Sequence, residues 1–223
     1  MKLSKYDLVA LSTLFLLVGI FFLPLFYPTS QLYVTPGYTK SDILHFNYPV
    51  KELLSQSLKN NSLPIWTDLA GTGFPVIAES QVQAFSLINL ILFRLFPTVI
   101  AFNAGYVVSF LLFSLGMYLV ARDQGYGRLV SFLCSFLFTF SGFNIVRIQH
   151  YNILSGFCYM PFIFLLAKHF IENKNSFSWL ILPFVISQFI LSVHMPTIFL
   201  TSIFFLIMFI IWRFIYKPQQ LSR

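Results

Sequence analysis

Charge is what this chain has least of. Only 9% of its 223 residues are Asp, Glu, Lys or Arg, against about 25% in a typical soluble domain, so it cannot cover a water-facing surface. A soluble enzyme and a soluble DNA-binding protein are thereby excluded. Cysteine is scarce as well: Cys134 and Cys158 stand in apolar runs with no CxxC spacing and no ligand neighbours. That excludes a disulfide framework or a metal knot and makes both residues small buried hydrophobes. Acids number 7 against 14 Lys and Arg, for a formal charge of +7. In so apolar a chain this excess orients membrane helices rather than binding nucleic acid.

What is abundant is apolar and aromatic side chain, 57% and 19% of the residues. Six runs contain no charged residue: 8–27, 99–121, 129–146, 151–167, 178–193 and 195–212, with lengths of 20, 23, 18, 17, 16 and 18 residues. A helix crossing a bilayer core needs about 20 apolar residues, with a lower limit near 17. Run 178–193 is marginal alone, but only His194 separates it from the next, and Pro196 suits the first turn of a returning helix. The pair reads as a tight helical hairpin. The first run is too long for the core of a signal peptide and lacks a small-x-small cleavage site before 24–28, so it reads as a retained helix. The expected fold is all-α: a polytopic integral membrane protein of about six transmembrane helices, one module over 1–223.

Orientation follows from the basic residues. With the N-terminus inside, the inner segments hold Lys2, Lys5, Arg122, Arg128, Lys168, Lys174, Arg213, Lys217 and Arg223. The outer segments hold Lys40, Lys51, Lys59, Arg94 and Arg147, all but Arg147 in one long loop that the rule largely ignores. Both termini are expected in the cytoplasm and the protein in the cytoplasmic membrane.

The outer loop 28–98 is too long for a simple connection, and loops of such length carry function or structure of their own. Val50, Leu53, Leu54 and Leu58 recur at helical spacing, with Lys51, Glu52 and Lys59 on the other sides. That pattern predicts a short amphipathic helix lying on the membrane surface. Run 80–93 is uncharged, a length for an interfacial or re-entrant segment. Between them, Gly71-Thr72-Gly73 lacks the strand, Gly spacing and Lys-Ser/Thr pair of a phosphate loop and reads as a turn.

The candidates for chemistry gather on the outer side: Asp42, His45, Glu79, Arg147, His150 and His194. Asp42 starts a helix three residues before His45, which puts the two on one face. His150 and His194 occupy connections so short that their side chains stay near helix ends. Against this stand simpler readings: Asp42 as a helix-start acid stabilised by the helix dipole, and Glu79 as a solvated loop acid. On the inner side, 122–128 is a basic turn for orientation and headgroup contact, Asp7 belongs to the start of the first helix, and Glu172 is placed to pair with Lys168.

An ordered set of short motifs follows the first run: Ser41-Asp42-Ile43-Leu44, Leu63-Pro64-Ile65-Trp66, Gly73-Phe74-Pro75 with Ala78-Glu79-Ser80-Gln81, Gly116-Met117-Tyr118-Leu119, Phe140-Ser141-Gly142-Phe143 before Arg147 and His150, and His194-Met195-Pro196. This set resembles the YfhO-like bacterial membrane proteins of the GT-C glycosyltransferase superfamily. The resemblance implies transfer of a sugar from a polyprenyl-phosphate donor to a cell-envelope glycan or lipid acceptor on the outer face of the cytoplasmic membrane. It also implies that an acid of the first outer loop serves as general base or helps bind a metal. Asp42 matches that position, and Glu79 matches a polar position later in the loop. Whether a divalent metal takes part stays open. Members are usually longer, so the resemblance implies that this chain corresponds to the N-terminal portion of that architecture, as a fragment, a split gene or a reduced homologue.

The chemistry suits these residue types. A carboxylate takes the proton of an attacking hydroxyl, and Arg147, with His150 or His194 when protonated, stabilises a leaving phosphate. The alternative is a non-catalytic multi-pass protein, a lipid-carrier translocator or an assembly partner of a cell-envelope enzyme.

Overall fold

A computed structural model describes residues 4–34, 41–172, 178–211 and 214. Lys2, Lys40, Lys174, Arg213, Lys217 and Arg223, used above for orientation, and the end of the last expected span at 212 lie outside the described residues. The described residues are helical, with no strand among them; one isolated bridge pairs Thr67 with Phe74. They form two compact units, Met1–Val193 and His194–Arg223.

The first unit opens with α1 (Lys5–Phe22). Ser4 Oγ accepts from the Asp7 amide at 3.4 Å while Asp7 Oδ2 accepts from the Ser4 amide at 2.8 Å, a reciprocal cap that satisfies two otherwise orphaned donors. The long loop contributes α2 (Tyr48–Lys59) and α3 (Leu87–Leu95). After Pro97 the chain runs through α4 (Thr98–Asp123), α5 (Arg128–Thr139), α6 (Gly142–Val146), α7 (Tyr151–Phe157), α8 (Met160–Ile171) and α9 (Ser178–Ile190). The second unit contains α10 (Met195–Ile211), an apolar helix on which Thr201 is the buried residue.

Among the described residues, four helical stretches are long and apolar enough to cross a membrane: Lys5–Leu25, Thr98–Asp123, Arg128–Gln149 and Tyr151–Ile171. The helices α9 and α10 are shorter, at 13 and 17 residues. At about 1.5 Å per residue α9 extends roughly 20 Å, short of a hydrocarbon core of about 30 Å. Among the described residues, four of the six expected spans are thus long enough to cross.

Two of these stretches are broken inside. Between α5 and α6, Asn144 Nδ2 donates to the Phe138 carbonyl at 2.8 Å and the Thr139 carbonyl at 3.3 Å. Backbone freed within an apolar stretch is thus re-satisfied by a side chain. Between α7 and α8 the break falls at Cys158 and Tyr159, with Pro161 in the first turn of α8.

The core of the first unit is α4, 56% buried over its apolar window where the other three stretches reach at most 33%. It packs against α1, α3, α5, α7 and α8. Its aromatic ridge meets α1 where Phe22 lies edge-on to Phe110 at 4.8 Å, and α7 where Tyr151 stacks on Phe102 at 4.4 Å. Gly105 makes the α7 contact feasible: a Cβ there would sit 2.0 Å from the Tyr151 hydroxyl oxygen.

At the end of the unit where α1 begins, the charges are consumed by structure. Asp7 is fully buried and meets Arg122 Nε at 3.0 Å, Arg128 Nε at 3.8 Å and the Tyr118 hydroxyl at 2.8 Å. Its role exceeds the helix start expected for it, and the basic turn contributes to helix packing as well as to charge. Lys168, expected to pair with Glu172 on its own helix, reaches across to Asp123 at 2.7 Å, and His169 meets the other oxygen of that carboxylate at 2.7 Å.

Candidate functional site

Asp42 opens a single turn of π-helix, Ile43–Asn47, that continues without interruption into α2. Such wide turns recur at functional sites because they re-aim side chains that an α-helix would place elsewhere. Ile43 and Asn47 are buried and anchor the turn, while Asp42 and His45 face outward.

The partner of Asp42 comes from a distant connection. His150 follows the 3-10 turn Arg147–Gln149 and starts α7. Its amide donates to the Arg147 carbonyl at 2.8 Å, and its carbonyl accepts from the Ile153 and Leu154 amides at 3.0 and 3.3 Å, so the backbone is held on both sides. His150 Nε2 lies 3.5 Å from Asp42 Oδ2. That separation is a charge contact rather than a tight hydrogen bond. The Asp42 side chain is 61% exposed and that of His150 24%. The carboxylate is therefore open to an incoming proton donor while the imidazole is mostly covered. His45, expected to share a face with Asp42, is exposed on the same turn; His150 brings an imidazole to the carboxylate from a different connection.

Glu79 lies half-buried and caps the 3-10 turn Ser80–Val82, its Oε1 accepting from the Gln81 amide at 3.1 Å. Two residues on, Gln81 Oε1 accepts from Asn152 Nδ2 at 2.6 Å. Glu79 thus belongs to the segment packed against the start of α7, beside His150 in the chain. The Arg147 guanidinium lies over the Phe143 ring at 5.7 Å and has no acid partner among the described residues. His194 belongs to the second unit, where its carbonyl accepts from the Thr197 and Ile198 amides at 2.9 and 3.3 Å and starts α10.

The largest departure from expectation is Lys51. Placed above on the solvent side of a surface helix, it is fully buried, on a face of α2 shared with Val50, Leu54, Ser55 and Leu58. That face packs on α3 and α4, so α2 belongs to the protein core rather than lying on a surface. Lys51 Nζ donates to the Val82 carbonyl at 2.5 Å and to Gln83 Oε1 at 2.9 Å, and lies 5.2 Å from the centre of the Tyr151 ring and 5.6 Å from that of Phe93. Burial holds its pKa well below the ordinary lysine value of 10.5, because a charge inside protein forfeits its hydration. On the same helix, burial and then the charge of Glu52 push the Tyr48 phenol up.

Gln83 is the hub of this interior. Its Oε1 also accepts from Asn89 Nδ2 at 2.8 Å, and its Nε2 donates to Ser155 Oγ at 2.5 Å and to the Ser192 carbonyl. The Tyr151 hydroxyl donates to Asn89 Oδ1 at 3.1 Å. A signal for this network was present in the sequence: Lys51, Leu54, Ser55 and Leu58 fall at the i, i+3, i+4, i+7 spacing of one helix face. Residue type overrode it.

The α3 helix takes up the second half of the uncharged run 80–93. It buries Asn89, Leu92 and Phe93 and leaves Leu87, Ile91 and Leu95 exposed. Among the described residues no three His, Cys, Asp or Glu side chains converge as a metal ligand set. Asp42 and His150 supply two donor atoms to this site. Compared with protein-family models, with curated proteins and with solved structures, the chain matches none.

Proposed function

We propose that this chain is a GT-C-like membrane glycosyltransferase module of the YfhO-like type, with six spans, cytoplasmic termini and its site on the outer face, and that Asp42 is the general base. The observation that carries the reading is the meeting of Asp42 and His150, held by two separate connections with the carboxylate open to solvent. In the reaction an acceptor hydroxyl on a cell-envelope glycan or lipid attacks the anomeric carbon of a polyprenyl-phosphate-linked sugar. The new C–O bond forms as the bond to the lipid phosphate breaks. Asp42 takes the hydroxyl proton, and the phosphate leaves with the bonding electron pair. His150 holds the carboxylate in place, and Arg147, free of any acid partner among the described residues, offers its charge to the departing phosphate.

A positioned base contributes about 10²- to 10⁴-fold. Membranes carrying the chain are expected to transfer label from polyprenyl-phosphate sugars, and Asp42→Asn to lower that transfer at least about a hundredfold while insertion is unchanged. Full activity in Asp42→Asn, or no transfer by the inserted native chain across a panel of such donors, refutes the reading and leaves the pair as an ion contact of a non-catalytic protein.

A further inference from the structure

The buried interior beside the site has no place in the chemistry just described, yet it ties together the two elements that carry it. Asp42 opens the unbroken helical run 42–59 in which Lys51 lies. His150 immediately precedes Tyr151, whose ring faces the Lys51 nitrogen at 5.2 Å and whose hydroxyl reaches Asn89. Between these elements stands Gln83, in the left-handed conformation at φ +59°, where a side chain larger than glycine is unusual and a local constraint is expected. From there its amide receives Lys51 and Asn89 on the oxygen and reaches Ser155 and Ser192 from the nitrogen. Ser155 Oγ donates in turn to the Tyr151 carbonyl at 2.9 Å.

Desolvating a lysine costs free energy, and a chain that only needed to fill this space would do so with Met or Leu. A fully connected polar network in a low-dielectric interior fixes one geometry among several packings of similar energy, since each alternative leaves a polar group unpaired. Here the geometry fixed is the placement of the helical run 42–59 against α7, which its opening π-turn 43–47 packs on. We propose that Lys51, acting through Gln83, is the positioning residue that sets the Asp42–His150 distance. The inference rests on the reading above for its catalytic meaning, but not for its geometric content.

The test reads the geometry first. In a chain bearing Cys134→Ala and Cys158→Ala, the pair Asp42→Cys with His150→Cys reports proximity through a short bismaleimide, scored by mass spectrometry of the linked peptides. The parent pair is expected to link readily. Adding Lys51→Met is expected to lower the yield at least fivefold, and Ser155→Ala about twofold, in protein that remains monodisperse in detergent. Ser155→Ala removes one acceptor from Gln83 with little volume change and decides the matter if Lys51→Met does not fold. Unchanged linking in the folded variants overturns the proposal, and a parent pair that does not link overturns the site geometry itself. Neither outcome depends on sugar transfer. Where transfer is measured, Lys51→Met with Asp42 and His150 intact is expected to lower kcat about tenfold or more, with KM for the donor within twofold, because misplacing a catalytic group by about 1 Å costs turnover on the order of a hundredfold. A loss confined to KM overturns the positioning role.

Discussion

The buried lysine has a thermodynamic signature that can be isolated. Lys51 is fully buried, its nitrogen held by the Val82 carbonyl and the Gln83 amide oxygen with two aromatic faces nearby and no carboxylate within ion-pair distance among the described residues. Its folded pKa therefore lies well below 10.5, the value it regains on unfolding. Below the folded value both states carry the proton, and the full cost of burying the charge weighs on the fold. Between the folded value and 10.5, the unfolded chain holds up to one proton more than the folded chain, so stability rises with pH. The slope from one group is at most about 1.4 kcal/mol per pH unit. Above 10.5 both states are neutral and the slope vanishes. Lys51→Met retains a chain of similar length and removes the proton. Thermal unfolding in detergent micelles, measured from pH 6 to pH 10 for both proteins, gives a difference curve from which the other groups largely cancel. Native stability is expected to climb relative to Lys51→Met as pH rises. Parallel curves, or a native curve falling relative to the variant, refute the burial of an unpaired amine.

Three further outcomes follow from particular contacts. Asp7→Ala strips the partner from Tyr118 and Arg122 at a fully buried site and is expected to cost about 3–5 kcal/mol, seen in the same unfolding assay; a loss below 1 kcal/mol contradicts the buried pair. Asp42→Asn touches a contact whose carboxylate is 61% exposed, so its stability is expected to stay within about 1 kcal/mol of the native chain, with a matching melting curve as the check. Gly105→Ala forces a methyl against the Tyr151 hydroxyl at a cost of about 1–3 kcal/mol. If that contact is the cause, combining it with Tyr151→Ala gives a smaller loss than the two changes summed.

Much of the fold was legible because bilayer length and absence of charge are strong, additive signals. The stretches Lys5–Leu25 and Thr98–Asp123 nearly coincide with the runs read from composition. The internal breaks were not legible, since Ser141 and Asn144 are small uncharged residues whose significance appears only when their side chains cap freed backbone groups. The length of α9 was overestimated for a related reason: residues 191–193 are apolar enough to extend a span, yet they form the turn in which the Ser192 carbonyl meets Gln83. For the site, composition placed Asp42 and His150 in connections but not in contact, because their meeting depends on the π-turn Ile43–Asn47 packing on α7. The polar network beside that packing was hidden in composition too, which puts Lys51 on the outer side of a surface helix and reads 80–93, with Gln83 and Asn89, as an interfacial or re-entrant segment.

The distribution of acids across the first unit bears on where chemistry resides. At the end where α1 begins, Asp7 meets Arg122 and Arg128 and Asp123 meets Lys168 and His169, with contacts as short as 3.0 and 2.7 Å. Such carboxylates are committed to holding helices together, and withdrawing them costs stability. At the other end the most deeply buried cation, Lys51, is held by carbonyl, amide and ring rather than by an acid, while its neighbour Glu52 points outward to Gln56. Had Lys51 recruited Asp42 or Glu79, that carboxylate would have been drawn into the interior and committed to a buried ion pair. Burying the lysine among neutral partners leaves Asp42 outside, 61% exposed and 3.5 Å from His150. A carboxylate that is positioned but not saturated is one that can still exchange a proton with something else.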